Sequence, residues 1–353
     1  MLNKEERIQY SRHLLLDEIG AVGQEKLKIA KVLVIGAGGL GCPILQYLCA
    51  AGVGTIGIID DDVVDQTNLQ RQVLYTIEDI GMSKAKAASD KLSRLNPYIF
   101  FKVYNEKLDI DNALDLFSEY DIIVDGSDNF PTRYLVNDAC VLTDKPLVFG
   151  SIFKFQGQVS VLNYQNGPTY RCLFPDPPAE DAVPNCSDIG VLGVLPGIIG
   201  SLQANEVIKI ITGIGTVLRG KLLYFDALTL QQQILSFQKN NAIEVLRLEE
   251  DYDFFCGIQS STIEEISVSE LKSNFDDYQI LDVRTQKEHD YFNIGGQHIE
   301  LDTISERVHE LSNLLPIVVC CQSGSRSRKA ITTILQQRND LHLISLKGGL
   351  SVY

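Results

Sequence analysis

Cations are scarce in this chain. Its 353 residues hold 31 Lys and Arg against 46 Asp and Glu, a formal charge of −15 at neutral pH. A surface that binds DNA, RNA or an anionic membrane displaces counterions with clustered positive charge, so this balance argues against all three as partners. Long apolar runs are missing as well. No window approaches the roughly 18 uninterrupted apolar residues of a spanning helix, and the opening Met1-Leu-Asn-Lys-Glu-Glu-Arg-Ile8 has no apolar core of the kind a secretion signal carries. The expected location is therefore cytoplasmic. Disulfide-framework spacing is absent: Cys42, Cys49, Cys140, Cys172, Cys186, Cys256, Cys320 and Cys321 are scattered and read as reduced thiols, some buried and some reactive. His13, His289, His298, His309 and His342 show no ligand spacing, and neither an internal repeat nor a low-complexity tract occurs.

What is present is ordinary for globular protein, with 45% apolar and 22% charged residues. The length favours two domains, each large enough for its own interior. Ala30 to Ile35, the following glycines, Pro43 to Ala51 and Gly54 to Asp60 read as strand, tight turn, helix and strand. Ser83 to Leu95 reads as a helix stopped by Asn96-Pro97, and Asp121 to Asp125 as a strand running into Gly126-Ser-Asp-Asn129. This alternation predicts a doubly wound, Rossmann-like α/β domain with its site at the strand C-termini. Leu147 to Asn163 and Lys221 to Gln233 read as later strands of the same domain, enclosing a Pro- and acid-rich stretch, Pro175 to Asp188, expected to be a mobile loop. The pattern loses its period near Glu249. The expected division is a first domain over 1–249, a linker over 250–262 and a small α/β domain over 263–353, with strands at Tyr278 to Val283 and Pro316 to Cys321 and a helix over Ser327 to Arg338.

Gly36-Ala-Gly-Gly-Leu-Gly41 between strand and helix lets backbone N–H groups approach phosphate while the helix N-terminus adds partial positive charge. Alone, such a loop marks NAD and FAD proteins equally well. Asp60, Asp61 and Asp62 end the second strand where a ribose-binding acid belongs, but nothing suggests a hydride-transfer pocket. Instead Asn68-Leu-Gln-Arg71-Gln72 follows, Lys84 starts a helix and Asp128 lies on a strand-end loop. Arg, Lys and a carboxylate around one nucleotide suit a triphosphate with Mg²⁺: the cations offset charge on leaving pyrophosphate and the acid holds the metal. Asp61, Asp65, Arg7, Lys86 and Lys91 read as solvated surface charges.

At these motifs, together with Tyr10-Ser-Arg12-His13 and Gly190-Val-Leu-Gly193-Val-Leu-Pro-Gly-Ile-Ile-Gly200, the chain resembles the MoeB/ThiF branch of the ubiquitin-activating E1 superfamily over roughly residues 5 to 240. The resemblance implies ATP-dependent adenylation of the C-terminal glycine of a ubiquitin-like sulfur carrier (ThiS-, MoaD- or Urm1-like). It implies that Gly36, Gly38, Gly39 and Gly41 form the nucleotide loop and that Asp60, with Asp62, serves the ribose side. Asn68, Arg71 and Lys84 would bind the phosphates, and Asp128, beside Asn129, would hold Mg²⁺. Arg12 matches an arginine inserted from a partner subunit, which implies a homodimer.

Near the C-terminus, Cys321-Gln322-Ser323-Gly324-Ser325-Arg326-Ser327 follows an apolar strand and precedes a helix. That arrangement aims backbone N–H groups and a helix dipole at the sulfur, and Arg326 adds a fixed charge. Cys320 should face the opposite side of the strand and read as structural. With Leu281-Asp282-Val-Arg284, Glu288, Gly295-Gly296 and a closing Leu346-Lys-Gly-Gly-Leu-Ser-Val-Tyr353, residues 263 to 353 resemble a rhodanese domain, Tyr353 standing where the family usually has Trp. An adenylating module joined to a rhodanese module is the architecture of the MOCS3/Uba4/MoeZ group. It implies sulfur loading on Cys321 from a donor such as a cysteine desulfurase, then attack of the Cys321 persulfide on the acyl-adenylate to give a carrier thiocarboxylate. Cys186 matches a cysteine that links covalently to the carrier in that group, although plain MoeB-like enzymes carry it without depending on it. The family's structural zinc normally uses two CxxC pairs; here those places read Thr169-Tyr-Arg-Cys172 and Asp253-Phe-Phe-Cys256, so no zinc is expected. Two rival readings are an adenylyltransferase with an idle rhodanese domain and a carrier-docking scaffold without activity. The carrier's pathway, molybdopterin, thiamin or tRNA thiolation, is not legible.

Overall fold

The computed structural model describes residues 1–178, 190–256, 263–322 and 324–353. The chain divides into two compact units, Met1–Gly257 and Ile258–Tyr353. The first begins with helices α1 (Lys4–Gln9), α2 (Ser11–Leu14) and α3 (Gly20–Ile29) and continues with β1 (Lys31–Ile35), α4 (Gly41–Ala51), β2 (Thr55–Ile59), α5 (Lys84–Leu95), β3 (Phe100–Tyr104), α6 (Ala113–Ser118), β4 (Ile122–Asp125), α7 (Phe130–Leu142), β5 (Leu147–Phe153), β6 (Gln156–Leu162), α8 (Tyr170–Leu173), α9 (Leu195–Thr212), β7 (Lys221–Asp226), β8 (Gln232–Ser236) and α10 (Tyr252–Phe255).

Local chemistry sets these bounds. Gly52, at φ +88°, closes α4 in the left-handed conformation that only glycine adopts without cost. Asn129 caps α7 by accepting the Thr132 N–H at 2.9 Å, with Pro131 in the first turn. The sheet order is β3-β2-β1-β4-β5-β6-β7-β8. Strands β3 through β5 pair in parallel and the last three join antiparallel. Parallel strands need cover on both faces, and alternate residues supply it. Val32, Val34, Ile56, Ile58 and Val124 pack with α4, α5 and α9, whereas Leu33, Ile35, Ile123, Leu147 and Phe149 pack with α6 and α7. The order reverses between β1 and β4. At such a switch point two strand-end loops part and leave a crevice for a ligand.

Two expectations need correction. The stretch 147–163 is not one strand but the β5–β6 hairpin, turned at Lys154 with φ +54°. The expected linker begins too early: Tyr252 and Cys256 are buried in the first unit's core, while residues 257–262 lie outside the described part, as does most of the expected mobile loop (179–189).

The second unit contains β9 (Glu264–Ile266), α11 (Val268–Ser273), β10 (Gln279–Asp282), α12 (Gln286–Tyr291), β11 (Gln297–His298), α13 (Ile304–Arg307), β12 (Ile317–Cys320), α14 (Ser325–Gln337) and β13 (Leu343–Leu346). Its all-parallel sheet runs β11-β10-β12-β13-β9. Central β12 is buried along its whole length. No helix among the described residues is long and apolar enough to cross a membrane.

Candidate functional site

The crevice at the β1/β4 switch point is a cavity of about 530 Å³. The loops after β1 and β4 meet there back to back. Gly36, at φ +83°, would place a Cβ 3.1 Å from the Gly126 carbonyl, and a Cβ on Gly41 would collide with the Gly36 carbonyl. Glycine is thus demanded by close backbone approach, which also brings main-chain N–H groups to the cavity floor. Gly38 and Gly39 line the cavity, whereas Gly41 lies behind it at the start of α4.

Asp60 sits beneath this loop, its carboxylate accepting the N–H of Ala37 at 2.7 Å and of Asp62 at 2.9 Å. Burial raises its pKa, and those two hydrogen bonds and Lys84 oppose the rise. Lys84 is almost buried and reaches Asp62 at 2.7 Å; Asp62 itself is largely exposed. Tyr75 ties loop to helix by donating to the Ala37 and Lys84 carbonyls. Arg71 lines the cavity and donates to the Thr67 carbonyl at 3.1 Å. Asn68, expected at the phosphates, is absent from the lining: its amide oxygen accepts the Asp65 N–H, closing the turn that aims Arg71. Asp128 and Asn129 lie at the opposite rim, Asp128 exposed and without a protein hydrogen bond among the described residues, Asn129 committed to capping α7. Arg12, on α2, is exposed and does not line its own chain's cavity.

Among the described residues, three buried polar atoms of the walls have no hydrogen-bond partner: Gln72 Oε1, Ser127 Oγ and Arg133 Nε. Unsatisfied buried groups are rare and concentrate where a ligand completes them. The glycine cradle and the cations Arg71 and Lys84 together fit a nucleotide triphosphate. One carboxylate, Asp128, would suit a Mg²⁺ that keeps most of its waters. Arg133, Tyr75, Lys107 and Lys154 were not singled out from sequence; they belong to no local motif and join the site only through the fold.

The second site is the loop between β12 and α14. Cys321 directly follows the strand, fully buried, and its Sγ accepts the N–H groups of Gly324 at 3.2 Å and Ser327 at 3.3 Å. Ser327 Oγ donates to the Gly324 carbonyl at 2.8 Å and lies 2.9 Å from Ser345 Oγ. The chain's last turn braces the loop from outside, Leu350 N–H donating to the Cys321 carbonyl and Ser351 N–H to that of Gln322. Gly324, at φ +98°, permits the turn. Cys320 and Cys321 fall in separate core clusters on opposite faces, and burial pushes the Cys320 thiol up. Ser323 lies outside the described residues, as does Cys186. Arg326, whose charge acts on the Cys321 sulfur, is held by a two-pronged ion pair with Glu288 at 2.7 and 2.8 Å.

Acid should loosen this unit first through two carboxylates. Hydrogen bonds from Arg326 and Thr285 hold Glu288 below its ordinary value. Burial favours the neutral form of Asp282, but bonds from Arg284 and His289 outweigh it and leave that group lowered too. Groups depressed in the folded state contribute stability above their unfolded pKa of about 4, and that contribution disappears as pH falls below it. Melting temperature of the second unit, followed from pH 7 to 3, should therefore drop, and Glu288→Gln should flatten the slope; an unchanged slope would contradict the assignment.

The positions where zinc would sit do not present a thiolate set. Cys172 Sγ accepts the N–H groups of Thr169 and Asn240, and burial pushes the Cys256 thiol up to about 12. The same segments are joined by ions instead. Arg171 grips Asp138 at 2.6 and 2.8 Å and Glu249 at 3.1 Å, lies over the Phe255 and Tyr134 rings, and Tyr252 donates to Asp138 at 2.7 Å. Arg171→Met leaves Asp138 buried without its cation and should cost about 3–5 kcal/mol of unfolding free energy. Denaturant titration checks this, and a chelator should leave the wild-type transition unchanged.

Comparison with known proteins follows the same division. The ThiF family model matches residues 10–245 and the rhodanese-like domain model residues 267–353. A protein of Mycobacterium tuberculosis described as a probable adenylyltransferase/sulfurtransferase MoeZ is 42% identical, over 99% of this chain and 93% of its own. The sulfur carrier protein adenylyltransferase of Thermus thermophilus is 50% identical over 72% of this chain and 98% of its own. Among solved structures, the complex of Escherichia coli MccB with ATP superposes with a TM-score of 0.58 at 25% identity, over 69% of this chain and 75% of that one. The glycine loop at the strand switch point and the thiol loop beyond it are therefore those of a member of the ThiF family that carries a C-terminal rhodanese-like domain.

Proposed function

We propose that this enzyme adenylates the C-terminal glycine of a ubiquitin-like sulfur carrier with ATP and then replaces the adenylate by sulfur delivered from Cys321. The observation that carries the first step is the convergence of the glycine loop, Asp60, Arg71, Lys84 and Asp128 on one cavity. Asp60 takes the ribose, Arg71 and Lys84 offset charge on the leaving pyrophosphate, and Asp128 holds Mg²⁺, which when bound neutralises phosphate charge. The exposed Arg12, away from its own cavity, supports a homodimer in which each protomer lends this residue to its partner's phosphates.

For the second step, two backbone N–H groups and the N-terminus of α14 stabilise negative charge at the Cys321 sulfur and its persulfide. The terminal sulfur attacks the acyl carbonyl and AMP leaves, giving an acyl disulfide. A second thiol attacks the Cys321 sulfur and releases the carrier thiocarboxylate; the resulting disulfide is returned to thiols by a dithiol reductant. Cys186 is the candidate for a covalent link to the carrier. A cysteine desulfurase suits the donor role, the location is cytoplasmic, and the carrier serves a sulfur pathway of the molybdopterin, thiamin or tRNA-thiolation kind. Exchange of labelled pyrophosphate into ATP, stimulated by a carrier ending in Gly-Gly, tests adenylation. A carrier mass changed by one sulfur for one oxygen tests the transfer.

A further inference from the structure

Arg133, Lys107 and Lys154 are cavity cations not accounted for by the roles above, and of these Arg133 is the buried one. Arg133, in α7, is 9% exposed and lines the cavity, yet its Nε has no hydrogen-bond partner among the described residues. Its guanidinium lies 5.5 Å from the centre of the Phe130 ring and 5.8 Å from that of Phe149. Aromatic faces hold such a group in place without saturating its donors. The unsatisfied Nε–H therefore calls for a ligand acceptor, and the reaction brings two anions, the triphosphate and the carboxylate to be activated.

The sheet separates them. Arg71, Lys84 and Asp60 stand on the β2 side of β1, with the glycine loop, whereas Arg133 stands on the other side with β4 and β5. The cavity lining includes Ile152, Phe153 and Val191 as well as Ser127, Thr132 and Lys154. The triphosphate already has the glycine loop, Arg71 and Lys84 on the β2 side, which leaves Arg133 for the second anion. Resting on the adenylation reading, we infer that Arg133 binds the C-terminal carboxylate of the incoming protein tail through Nε–H. One carboxylate oxygen accepts that hydrogen bond and the other is left to attack. The new bond forms from that oxygen to the α-phosphorus as the bond to pyrophosphate breaks, and no proton is transferred.

The test uses the full chain, the non-hydrolysable ATP analogue AMPCPP, and a ten-residue peptide ending in Gly-Gly, made as free acid and as C-terminal amide. Wild type should bind the acid about tenfold or more tighter than the amide, the effect of one charge-assisted hydrogen bond. Arg133→Gln should bind both alike, with unchanged affinity for AMPCPP, and Arg133→Lys should recover part of the preference. If the glutamine variant fails to fold, the lysine variant and the wild-type acid/amide ratio decide. Equal binding of acid and amide by wild type overturns the inference, as does a glutamine variant that keeps the preference and loses AMPCPP instead. Failure of the adenylation reading is separate: wild type would then show no pyrophosphate exchange while the acid/amide preference persists.

Discussion

Replacing Cys321 by alanine is expected to abolish thiocarboxylate formation, by about a thousandfold or more, and to leave carrier-stimulated pyrophosphate exchange within about twofold, because only the nucleophile is removed. The separation follows from the fold. Cys321 belongs to the core of the second unit, whereas every residue lining the nucleotide cavity belongs to the first. Alanine also disturbs little, since the Gly324 and Ser327 N–H groups lose an acceptor but Ser327 Oγ keeps its bond to Gly324. Mass analysis of the carrier tail reads the outcome. Undiminished thiocarboxylate would mean that the rhodanese domain is idle.

Lys84→Ala should have the converse effect. Loss of a cation poised at the leaving pyrophosphate costs about 10²–10³ in rate, while loading of labelled sulfur onto Cys321 should stay as in wild type. The geometry favours so large an effect. Lys84 is almost buried but its carboxylate partner, Asp62, is mostly exposed, so the ammonium exchanges that partner for phosphate at small cost. Asp62→Asn should accordingly be much milder. Steady-state pyrophosphate exchange measures both, and a Lys84→Ala protein retaining full exchange would sink the assignment. A pure docking scaffold predicts no exchange even in wild type.

The sheet's first half was legible because its signals are local. The run Lys31 to Ile35 enters a glycine loop and Pro43 lies in the helix that follows, and residues within ten positions of one another dictate that turn. Lys84, Arg71 and Cys321 could be singled out for the same reason, each standing at a fixed offset in a short motif. The β5–β6 hairpin was read without its turn because that turn, at Lys154, uses a left-handed residue other than glycine. The α10 segment was read as linker because the acidic run Glu249-Glu-Asp-Tyr-Asp253 breaks the apolar period there. Only the Tyr252 hydroxyl on Asp138, 114 residues away, shows why it is buried.

Sequence alone determined the two kinds of chemistry on this chain, since glycine at close backbone approach and a thiol before a helix N-terminus are requirements of single loops. Tertiary structure decided which charges serve them. It turned Asn68 to its turn and Arg326 to Glu288, and it brought Arg133 from α7 to the cavity wall with an open donor. Strand order and the balance of burial against pairing are properties of many distant residues at once, and no local spacing records them.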